Sequence, residues 1–466
     1  MSKPRNRHGK IVATLGPGTR SADAVRLLAD AGVDVFRLNF SHGDHSDHSA
    51  ALEAVRAAEK SLGRPLAVLG DLQGPKVRVG TFPDGKIRLG FNGVYDLVPG
   101  ATTDREDAIP VPHPEILAAL EPGDEILCND GLLVLNVIEG GDKPRVRSPF
   151  PGTLGDKKGF TVRGKALPVR ALTEKDRKDL AFAMDNDIDI VALSFVQTPE
   201  DIAEAKALIT NKAPLIAKLE KPAAIDNLDG IIEAADGVMV ARGDLGVEFP
   251  TEQVPIIQRR IIRAARAAGR PVIVATQMLE SMIEHAAPTR AEASDVATAV
   301  YQGADAVMLS AETAVGRHPA TAVAIMGRII AAAEGADDFA HSLDQFTGDC
   351  EDCEEAIDIV ADAAFRLAAR HHCAALVLRT GSTRRLRRFA RHRGLPTILY
   401  GSRDTARLRR AQLLWGVHPV ALQSIDEADW ARKVATCAGV DGPVAWSAWR
   451  GEDIGAVTAW EVGVDA

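Results

Sequence analysis

Short apolar runs rich in β-branched residues recur eight times along the chain. Stretches typical of helices lie between most of these runs, which begin at residues 11, 34, 65, 189, 214, 237, 271 and 306. Two of the helix-like stretches, 21–32 and 254–269, carry apolar residues near helical spacing, and the second ends in Gly. Strands that alternate with helices form parallel βαβ units. The pattern therefore predicts an α/β fold with a closed (β/α)₈ TIM barrel.

The third and fourth apolar runs lie too far apart for a single crossover helix, and a structureless loop of that length is unusual within a compact domain. The interval is rich in Gly and Pro and holds strand-like runs such as KIRLG, VYDLV, DEILC and LLVLNVI. We therefore predict that residues 75–165 form a small inserted β-barrel domain. Because this domain follows the third strand, it would lie over the carboxyl-terminal mouth of the barrel, where active sites occur, and would act as a lid.

The composition changes after residue 335, where an acidic and polar connector begins. Beyond the connector, residues 358–372 have a helical pattern, and the runs CAALVLRT, PTILYGS and GPVAWSAW are typical of strands. These features predict a third domain of the α/β type. The predicted organisation is a catalytic barrel of residues 1–74 and 166–335, a lid of residues 75–165 and a carboxyl-terminal domain of residues 336–466.

Composition limits the classes of protein that fit this pattern. The 466 residues are 46% apolar, enough for sizeable cores, and carry a net charge of −9, which disfavours nucleic-acid and membrane-surface binding. No apolar run approaches the roughly 18 residues of a membrane span, and the basic amino terminus has an apolar run too short for a signal peptide. Five cysteines disfavour a disulfide framework. We therefore expect a cytoplasmic protein without nucleic-acid or membrane partners.

Polar and charged side chains stand at the carboxyl ends of the predicted strands, where barrel strands would otherwise be apolar. In chain order they are Arg37, Asn39, Asp71, Ser194, Lys218, Glu220, Arg242, Asp244, Thr276, Ser310 and Glu312. A closed barrel brings all of these residues to one mouth. Ion pairs that stabilise the rim are the alternative for any one residue, but a functional site explains the whole set better.

The chemistry of this set favours a metal-assisted site. The carboxylates of Glu220 and Asp244 suit a hard divalent cation such as Mg²⁺ or Mn²⁺. Lys218 and Arg37 complement a phosphate or another anion. The backbone of Gly243 and Asp244 begins a short predicted helix and would offer N–H groups to a carboxylate or phosphate. The residues therefore predict a small, anionic and phosphorylated substrate.

Several sequence blocks resemble those of the pyruvate kinase family. They are KIVATLGPGTR, VFRLNFSHG, LGDLQGPKVRVG, IAKLEKPAAIDNLDGI, DGVMVARGDLGVE, ATQMLESMI, TRAEASDVATAV and DAVMLSAETAVG. The match covers nearly the whole barrel, and the insertion and the carboxyl-terminal domain stand where the family has them. The resemblance implies phosphoryl transfer from phosphoenolpyruvate to ADP in glycolysis, which yields pyruvate and ATP, and a homotetrameric assembly.

The resemblance also implies roles for the residues around the phosphoryl group. Glu220 and Asp244 would ligate the divalent cation, which bridges the carboxylate and the phosphate of the substrate. Lys218 would stabilise the charge on the transferring phosphoryl group, and Arg37 would hold the phosphate.

For the other end of the substrate, the resemblance implies a cradle for the carboxylate. It would consist of the backbone N–H groups of Gly243 and Asp244 and the hydroxyl of Thr276. Protonation of the enolate would pass through a water or hydroxyl relay near Thr276, Ser310 and Glu312. The proton donor itself stays open.

Five further residues fall where the family contacts the phosphates of the nucleotide: Asn39, Ser41, His42, Arg78 and Lys158. The two in the lid favour a kinase over the main alternative, a metal-dependent oxo-acid lyase or aldolase on the same barrel, because a lyase has no need of them. A catalytically inactive regulatory protein is a third hypothesis. The complete set of matching barrel residues argues against it.

The sequence departs from much of the family at one cation site. Many members need K⁺, held by oxygens at the positions of Asn39, Ser41, Asp71 and the Leu72 carbonyl, and carry Glu where this chain has Lys76. A second subgroup carries Lys there, together with the Leu-Gln pair that precedes it here. We predict that the Lys76 ammonium supplies the charge of K⁺ and that K⁺ is not required. A solvated surface lysine is the alternative.

One loop of the carboxyl-terminal domain resembles the family's effector site. It consists of Thr380, Gly381, Ser382, Thr383 and Arg384, and a hydroxyl-rich turn at a helix amino terminus suits a sugar phosphate or a nucleotide. The final residues of the chain depart from the family's usual pattern. The identity of the effector, and whether one binds, therefore stays open.

The effector-like loop lies within a basic stretch, residues 379–393, which holds seven Arg and no acidic residue. A nucleic-acid patch and a solvated helix face are the two interpretations. The acidic balance of the whole chain favours the second.

Three smaller motifs have ordinary structural interpretations. His42 and the other histidines of SHGDHSDH are more typical of a solvated helix start than of a transition-metal site. Cys350 and Cys353 have redox or zinc spacing, but they lack a second Cys pair and lie among acidic residues that lower thiol reactivity. Asp130 would either approach the nucleotide when the lid closes or serve an Asp-Gly turn.

Overall fold

The computed structural model describes residues 3–129, 131–165, 170–339, 356–393, 397–422, 430–448 and 456–460. Asp130, Cys350 and Cys353 lie outside the described residues. None of the described helices combines the length and the apolar character that crossing a bilayer requires.

The chain begins with three strands of the barrel and two helices. In order they are β1 (Lys10–Thr14), α1 (Ala22–Ala31), β2 (Val35–Asn39), α2 (His45–Leu62) and β3 (Ala67–Asp71). Both helices begin at a side-chain cap: the Ser21 hydroxyl and the Asp44 carboxylate each accept a backbone N–H from the first turn. Gly32 ends α1 with φ +138°, a conformation that side chains disfavour. The side-chain caps fix where the two helices begin, and Gly32 ends α1 so that the chain can turn back toward the next strand.

The residues after β3 fold as a mainly β insertion. Its elements are β4 (Lys86–Leu89), β5 (Gly93–Pro99), β6 (Ala108–Val111), α3 (Pro114–Ala118), β7 (Glu125–Cys128), β8 (Leu133–Glu139), β9 (Arg145–Ser148), β10 (Gly152–Gly155) and β11 (Phe160–Val162). β4 pairs with β10, and the other strands form a mixed sheet in the order β11-β7-β8-β9-β5-β6. A separate apolar core, with Ile126, Leu135 and Phe160 at 2% exposure or less, holds the insertion together.

The chain then returns to the barrel and completes it. The elements are α4 (Glu174–Asp185), β12 (Ile190–Leu193), α5 (Pro199–Leu208), β13 (Leu215–Leu219), α6 (Pro222–Asp226), α7 (Leu228–Ala234), β14 (Gly237–Ala241), α8 (Arg242–Glu248), α9 (Val254–Ala267), β15 (Val272–Ala275), α10 (Arg290–Tyr301), β16 (Ala306–Leu309), α11 (Ala311–Ala314) and α12 (Pro319–Glu334). Short 3₁₀ helices lie at Thr251–Gln253 and Glu280–Ile283.

Eight parallel strands close the barrel in the order β1-β2-β3-β12-β13-β14-β15-β16, and β16 pairs back with β1. Interior side chains such as Val35, Leu69 and Met239 form one buried cluster. Leu413 of the carboxyl-terminal domain belongs to the same cluster and closes the barrel at the end opposite the mouth. The (β/α)₈ barrel predicted from the apolar runs is confirmed.

The remaining described residues form a five-stranded sheet with helices. The elements are α13 (Ala356–Arg370), β17 (Ala375–Arg379), α14 (Thr383–Arg391), β18 (Thr397–Ser402), α15 (Thr405–Ala411), β19 (Val417–Ala421), α16 (Trp430–Ala438), β20 (Val444–Ala448) and β21 (Ala456–Trp460). The strand order is β19-β18-β17-β20-β21, with β21 antiparallel. The sequence analysis missed β19 because Pro419 interrupts its pattern, and β19 lies at a sheet edge, where proline is tolerated.

The basic stretch 379–393 packs against the barrel. Arg387 donates to the backbone carbonyl and the carboxylate of Asp236, and Arg391 donates to the carbonyl of Ala267. Arg393 makes two hydrogen bonds, of 2.9 and 2.7 Å, to the buried carboxylate of Asp305. Neither a nucleic-acid patch nor a solvated helix face describes these three arginines, because their charges serve the contact between domains.

Candidate active site

The Lys218 ammonium lies at the centre of the barrel mouth. Lys218 is in β13, and its Nζ lies 2.6 Å from Ser194 Oγ, 3.0 Å from Glu220 Oε1 and 3.3 Å from Asp71 Oδ1. Its side chain is 12% exposed. Burial alone favours the neutral amine, but the carboxylates of Asp71 and Glu220 outweigh burial and raise the pKa of Lys218 above its ordinary value. Lys218 therefore keeps its positive charge in a largely dry position.

Asp71 links Lys218 to Arg37. The Arg37 Nε donates to Asp71 Oδ2 at 2.7 Å, and Arg37 Nη1 donates to the Thr14 hydroxyl at 3.0 Å. Burial favours the neutral form of Asp71, yet Lys218 and Arg37 hold its pKa below the ordinary value. One ionised carboxylate thus orients two cations at the mouth.

Glu220 follows β13 and has no exposed surface. Its Oε2 accepts from the Phe195 N–H at 2.8 Å, whereas Oε1 has no hydrogen-bond partner among the described residues and is in ion-pair contact with Lys218. Burial, together with the nearby charge of Asp244, raises the pKa of Glu220. The Lys218 ammonium therefore already lies beside Oε1, and a divalent cation bound here would share that oxygen with Lys218.

Asp244 lies in the first turn of α8, which begins directly after β14. Its side chain is 38% exposed, and Oδ1 lies 3.7 Å from Lys76 Nζ. A cleft of about 630 Å³, open to solvent, adjoins this carboxylate between the barrel and the insertion. Its lining includes Lys76, Leu127 and Thr161 from the insertion and Asp244 and Glu248 from the barrel. The cleft thus lies where the inserted domain was expected to cover the mouth.

Thr276 follows β15 and faces the beginning of α8. Its backbone has φ +71°, and the Gly243 N–H donates to its hydroxyl at 2.7 Å. That hydroxyl donates in turn to the Ala275 carbonyl at 2.5 Å. The structure therefore brings together two of the groups expected to hold a carboxylate. The Gly243 N–H would have to exchange its contact with Thr276 for a substrate oxygen.

Ser310 and Glu312 follow β16. The carboxylate of Glu312 accepts the N–H groups of Ser310 at 2.7 Å and of Leu279 at 3.1 Å. Burial raises the pKa of Glu312 despite these hydrogen bonds. The Ser310 hydroxyl is buried and lacks a hydrogen-bond partner among the described residues. Glu312 thus anchors two loops, and the Ser310 hydroxyl remains available for another contact.

The residues expected to meet the nucleotide form two groups. Asn39, Ser41 and His42 form a turn after β2, in which Asn39 Oδ1 accepts from the Ser41 N–H at 3.2 Å. Arg78 and Lys158 lie on the insertion, both exposed, and Arg78 donates to the Lys157 carbonyl at 2.9 Å.

Two of the groups expected to bind K⁺ already have contacts within the protein. The Leu72 carbonyl accepts from the Ser194 hydroxyl at 2.7 Å, and Asp71 is paired with Arg37 and Lys218. The ammonium of Lys76 lies beside Asp244. The positive charge of Lys76 therefore stands at the same mouth, next to a predicted metal ligand.

The remaining histidines of SHGDHSDH have structural contacts. His45 stacks on Phe182 with ring centroids 4.3 Å apart, and its Nε2 lies 2.8 Å from Asp179 Oδ1. His48 is buried edge-on against Phe40. Across the described residues, no three His, Cys, Asp or Glu side chains come close enough to hold one metal ion.

The effector-like loop forms a capped turn. The Ser382 hydroxyl accepts from the Arg385 N–H at 3.4 Å and so caps α14, and Thr380 Oγ1 accepts from the Ser382 N–H at 3.1 Å. Arg407, from α15, donates to the Gly381 carbonyl at 2.7 Å.

Sequence reasoning missed three residues next to this site. Asp295 pairs with Arg242, and Lys221 pairs with Glu248. A signal for the second pair was present, because Lys221 directly follows Glu220 and Glu248 lies four residues after Asp244. The contact between them joins distant segments and became visible only in three dimensions.

Comparisons with known proteins found similar sequences and a similar solved structure. The family model described as pyruvate kinase, barrel domain, matches residues 6–323. A pyruvate kinase of Agrobacterium vitis is 43% identical over 442 residues, which are 94% of this chain and 93% of the relative. A pyruvate kinase of Methylorubrum extorquens is 44% identical over 430 residues, 91% of this chain and 89% of the relative. The crystal structure of a pyruvate kinase from Cryptosporidium parvum has a TM-score of 0.93 at 29% identity and covers 98% of this chain and 97% of that one.

Proposed function

Because this chain belongs to the pyruvate kinase family, we propose that the residues at its barrel mouth transfer the phosphoryl group of phosphoenolpyruvate to ADP. The products are pyruvate and ATP, and the reaction is a step of glycolysis. The observation that carries the assignment to this site is the charged, buried Lys218 ammonium, held between Asp71 and Glu220. An oxo-acid lyase on the same barrel would not use ADP.

The divalent cation that the family uses, generally Mg²⁺, fits the carboxylates of Glu220 and Asp244. Hard cations prefer oxygen ligands, and the Glu220 carboxylate is fully buried beside the positive charge of Lys218, with Asp244 close enough to raise its pKa. When bound, the cation would neutralise charge on the phosphoryl group and the substrate carboxylate. Mn²⁺ would satisfy the same donor set.

Lys218 and Arg37 are proposed to hold the phosphoryl group during transfer. Phosphoryl transfer depends mainly on positioning and on stabilisation of charge, and both cations are fixed by Asp71 before substrate arrives. Preorganisation matters because no side chain must reorient as charge shifts toward the nucleotide.

The carboxylate of the substrate is proposed to bind at the amino end of α8. The N–H groups of Gly243 and Asp244 and the hydroxyl of Thr276 would receive it, with the Gly243 N–H released from Thr276. The enolate left by phosphoryl transfer needs a proton. We assign its relay to Thr276 and to the Ser310 hydroxyl, which has no hydrogen-bond partner among the described residues, with Glu312 holding the Ser310 backbone in place.

The nucleotide is proposed to bind between the barrel and the lid. Asn39, Ser41 and His42 would contact its phosphates from the barrel, and Arg78 and Lys158 would approach from the lid. The lid is proposed to comprise residues 75–165 and the effector domain residues 336–466. The exposure of Arg78 and Lys158 on the insertion supports this arrangement.

Independence from K⁺ is proposed for this enzyme, although the family typically uses that ion. Lys76 brings a fixed positive charge to within 3.7 Å of Asp244.

The loop from Thr380 to Arg384 is proposed as the site of a sugar-phosphate or nucleotide effector. The capped turn of this loop, with three hydroxyl side chains, supports that proposal. The enzyme is proposed to be a cytoplasmic homotetramer.

A coupled assay tests the proposed activity. Purified protein with phosphoenolpyruvate, ADP and Mg²⁺ should form pyruvate and ATP in equal amounts. Pyruvate formation that proceeds equally well without ADP would reject the phosphotransferase.

A further inference from the structure

Lys221 and Glu248 form a buried ion pair beside the two proposed metal ligands. The Lys221 ammonium donates to Glu248 Oε1, and the two side chains are 14% and 2% exposed. Lys221 is the residue after Glu220, and Glu248 lies one helical turn after Asp244 in α8. The ion pair therefore joins the same two segments that carry the two carboxylates.

The helix that carries Asp244 depends on tertiary contacts for its position. α8 has seven residues and no side-chain hydrogen bond at its amino-terminal cap. So short a helix has little stability of its own. Residues four apart share a face of a helix, so a contact that fixes Glu248 also restrains Asp244.

The segment that carries Glu220 is restrained by the same lysine. The Lys221 ammonium lies 5.5 Å from the centre of the Phe195 ring. The backbone N–H of Phe195 in turn donates to Glu220 Oε2 at 2.8 Å. Lys221 thus contacts both the far end of α8 and the residue that orients the Glu220 carboxylate.

We propose that Lys221 and Glu248 are positioning residues for the divalent cation. Their ion pair holds Glu220 and Asp244 at the separation that one cation requires, and neither residue contacts the cation. The inference rests on the proposed function, because it takes Glu220 and Asp244 as the ligands.

Charge alone and positioning predict different signs, so the two are separable. If only the electric field mattered, Lys221→Met would remove a repelling charge and tighten cation binding, whereas Glu248→Gln would weaken it. If position matters, both substitutions break the same link and both weaken binding. The double variant Lys221→Met/Glu248→Gln removes one charge of each sign, so any loss of affinity it shows reflects position.

The experiment measures Mn²⁺ binding directly, by the electron paramagnetic resonance signal of free Mn²⁺, without turnover. Wild type, both single variants, the double variant and Lys221→Arg are titrated, and circular dichroism confirms that each is folded. Lys206→Met is the control for loss of a lysine ion pair away from the site, because Lys206 lies 3.0 Å from Asp236, which precedes β14 at the opposite end of the barrel. Glu220→Gln and Asp244→Asn test the proposed ligands themselves.

Both single variants and the double variant should raise the Mn²⁺ dissociation constant by about tenfold, the usual scale for residues that orient metal ligands. Lys221→Arg should restore much of the affinity, Lys206→Met should match wild type, and the KM for ADP should change little in all of them. Tighter binding by Lys221→Met, or wild-type affinity of the double variant, would overturn the inference. Wild-type Mn²⁺ binding by Glu220→Gln and Asp244→Asn would instead reject the proposed metal site. Should Lys221→Met not fold, Lys221→Gln replaces it, because Lys221→Gln also removes the charge and the ion pair; tighter Mn²⁺ binding by that variant would overturn the inference.

Discussion

The guanidinium of Arg242 holds the backbone carbonyl of Thr276 through hydrogen bonds of 2.6 and 3.2 Å. Asp295 accepts from the same guanidinium at 2.7 Å. Thr276 and Gln277 have φ values of +71° and +55°, in a left-handed region that β-branched residues rarely adopt. The contact therefore maintains a strained turn, and that turn presents the Thr276 hydroxyl to Gly243.

Arg242→Lys should impair the turn while leaving the fold intact. A lysine offers a single ammonium and cannot reproduce the forked contacts to Thr276 and Asp295. We expect kcat/KM for phosphoenolpyruvate to fall by about tenfold or more, with a smaller change in the KM for ADP. Steady-state kinetics with each substrate varied would measure both.

The matched control is Arg317→Lys, because Arg317 forms an exposed ion pair with Glu284 at 3.0 Å. That variant should behave as wild type. Equal kinetics in Arg242→Lys and the control would show that the turn does not depend on Arg242.

Ser310→Ala should separate catalysis from stability. The Ser310 hydroxyl is buried and has no hydrogen-bond partner among the described residues, so its removal should not lower the melting temperature. If the hydroxyl relays the proton to the enolate, kcat should fall by about tenfold or more.

Thr313→Val should have the opposite effect to Ser310→Ala, lowering stability without lowering turnover. Its hydroxyl donates to the Thr14 carbonyl at 2.9 Å, so the variant should lose about 1 kcal/mol of stability and keep its turnover. Unchanged kcat in Ser310→Ala would remove Ser310 from the relay.

The position of Lys76 leads to a prediction about how turnover depends on monovalent cations. In buffer free of K⁺ and Na⁺, the wild-type enzyme should turn over nearly as fast as after K⁺ is added, because the Lys76 ammonium already lies 3.7 Å from Asp244. Lys76→Glu should acquire a strong requirement for K⁺. A wild-type rate that rises by orders of magnitude on addition of K⁺ would refute the proposal.

Lys10 gives a prediction about stability and pH. Burial lowers the pKa of Lys10 to about 8, from an ordinary value near 10.5. Between these values the unfolded chain keeps a proton that the folded protein has released. The free energy of unfolding contributed by this group therefore rises with pH across that window.

Free energies of unfolding of wild type and Lys10→Met, measured by urea denaturation at several pH values, test this coupling. Relative to Lys10→Met, the free energy of unfolding of wild type should rise by roughly 2 kcal/mol between about pH 7 and about pH 9.5. A constant difference would mean that Lys10 titrates normally.

The barrel was predictable because its strands are mainly apolar runs with polar residues at or just after their carboxyl ends. Strands buried on both faces, such as Ile190–Leu193, produce that signal from sequence alone. In the insertion, β9 and β10 lack such runs, since Arg145–Ser148 and Gly152–Gly155 are short and partly exposed. These strands exist because neighbouring strands pair with them, and a local pattern cannot reveal that pairing.

The site was predictable as a set of residues but not as a set of contacts. The convergence of Lys218, Glu220 and Asp71 follows from the barrel, because strand ends meet at its mouth. The bond from the Gly243 N–H to Thr276 and the pairing of Lys76 with Asp244 depend on loop conformations. Loop conformation is decided by packing between distant segments, so the sequence pattern carries little information about it.

The central claim is that the Lys218 ammonium stabilises the transferring phosphoryl group. Lys218→Met also removes a positive charge that balances the buried carboxylates of Asp71 and Glu220. The folding of this variant must therefore be checked by circular dichroism and thermal melting. Lys175→Met, which removes a lysine paired with Asp179 at 2.6 Å, controls for the loss of an ion pair.

The most direct measurement is kcat for pyruvate formation by folded Lys218→Met at saturating phosphoenolpyruvate, ADP and Mg²⁺. The proposed role predicts a fall in kcat of about a hundredfold to a thousandfold relative to wild type, with far less change in the KM for ADP. Turnover close to that of wild type would contradict the role of Lys218.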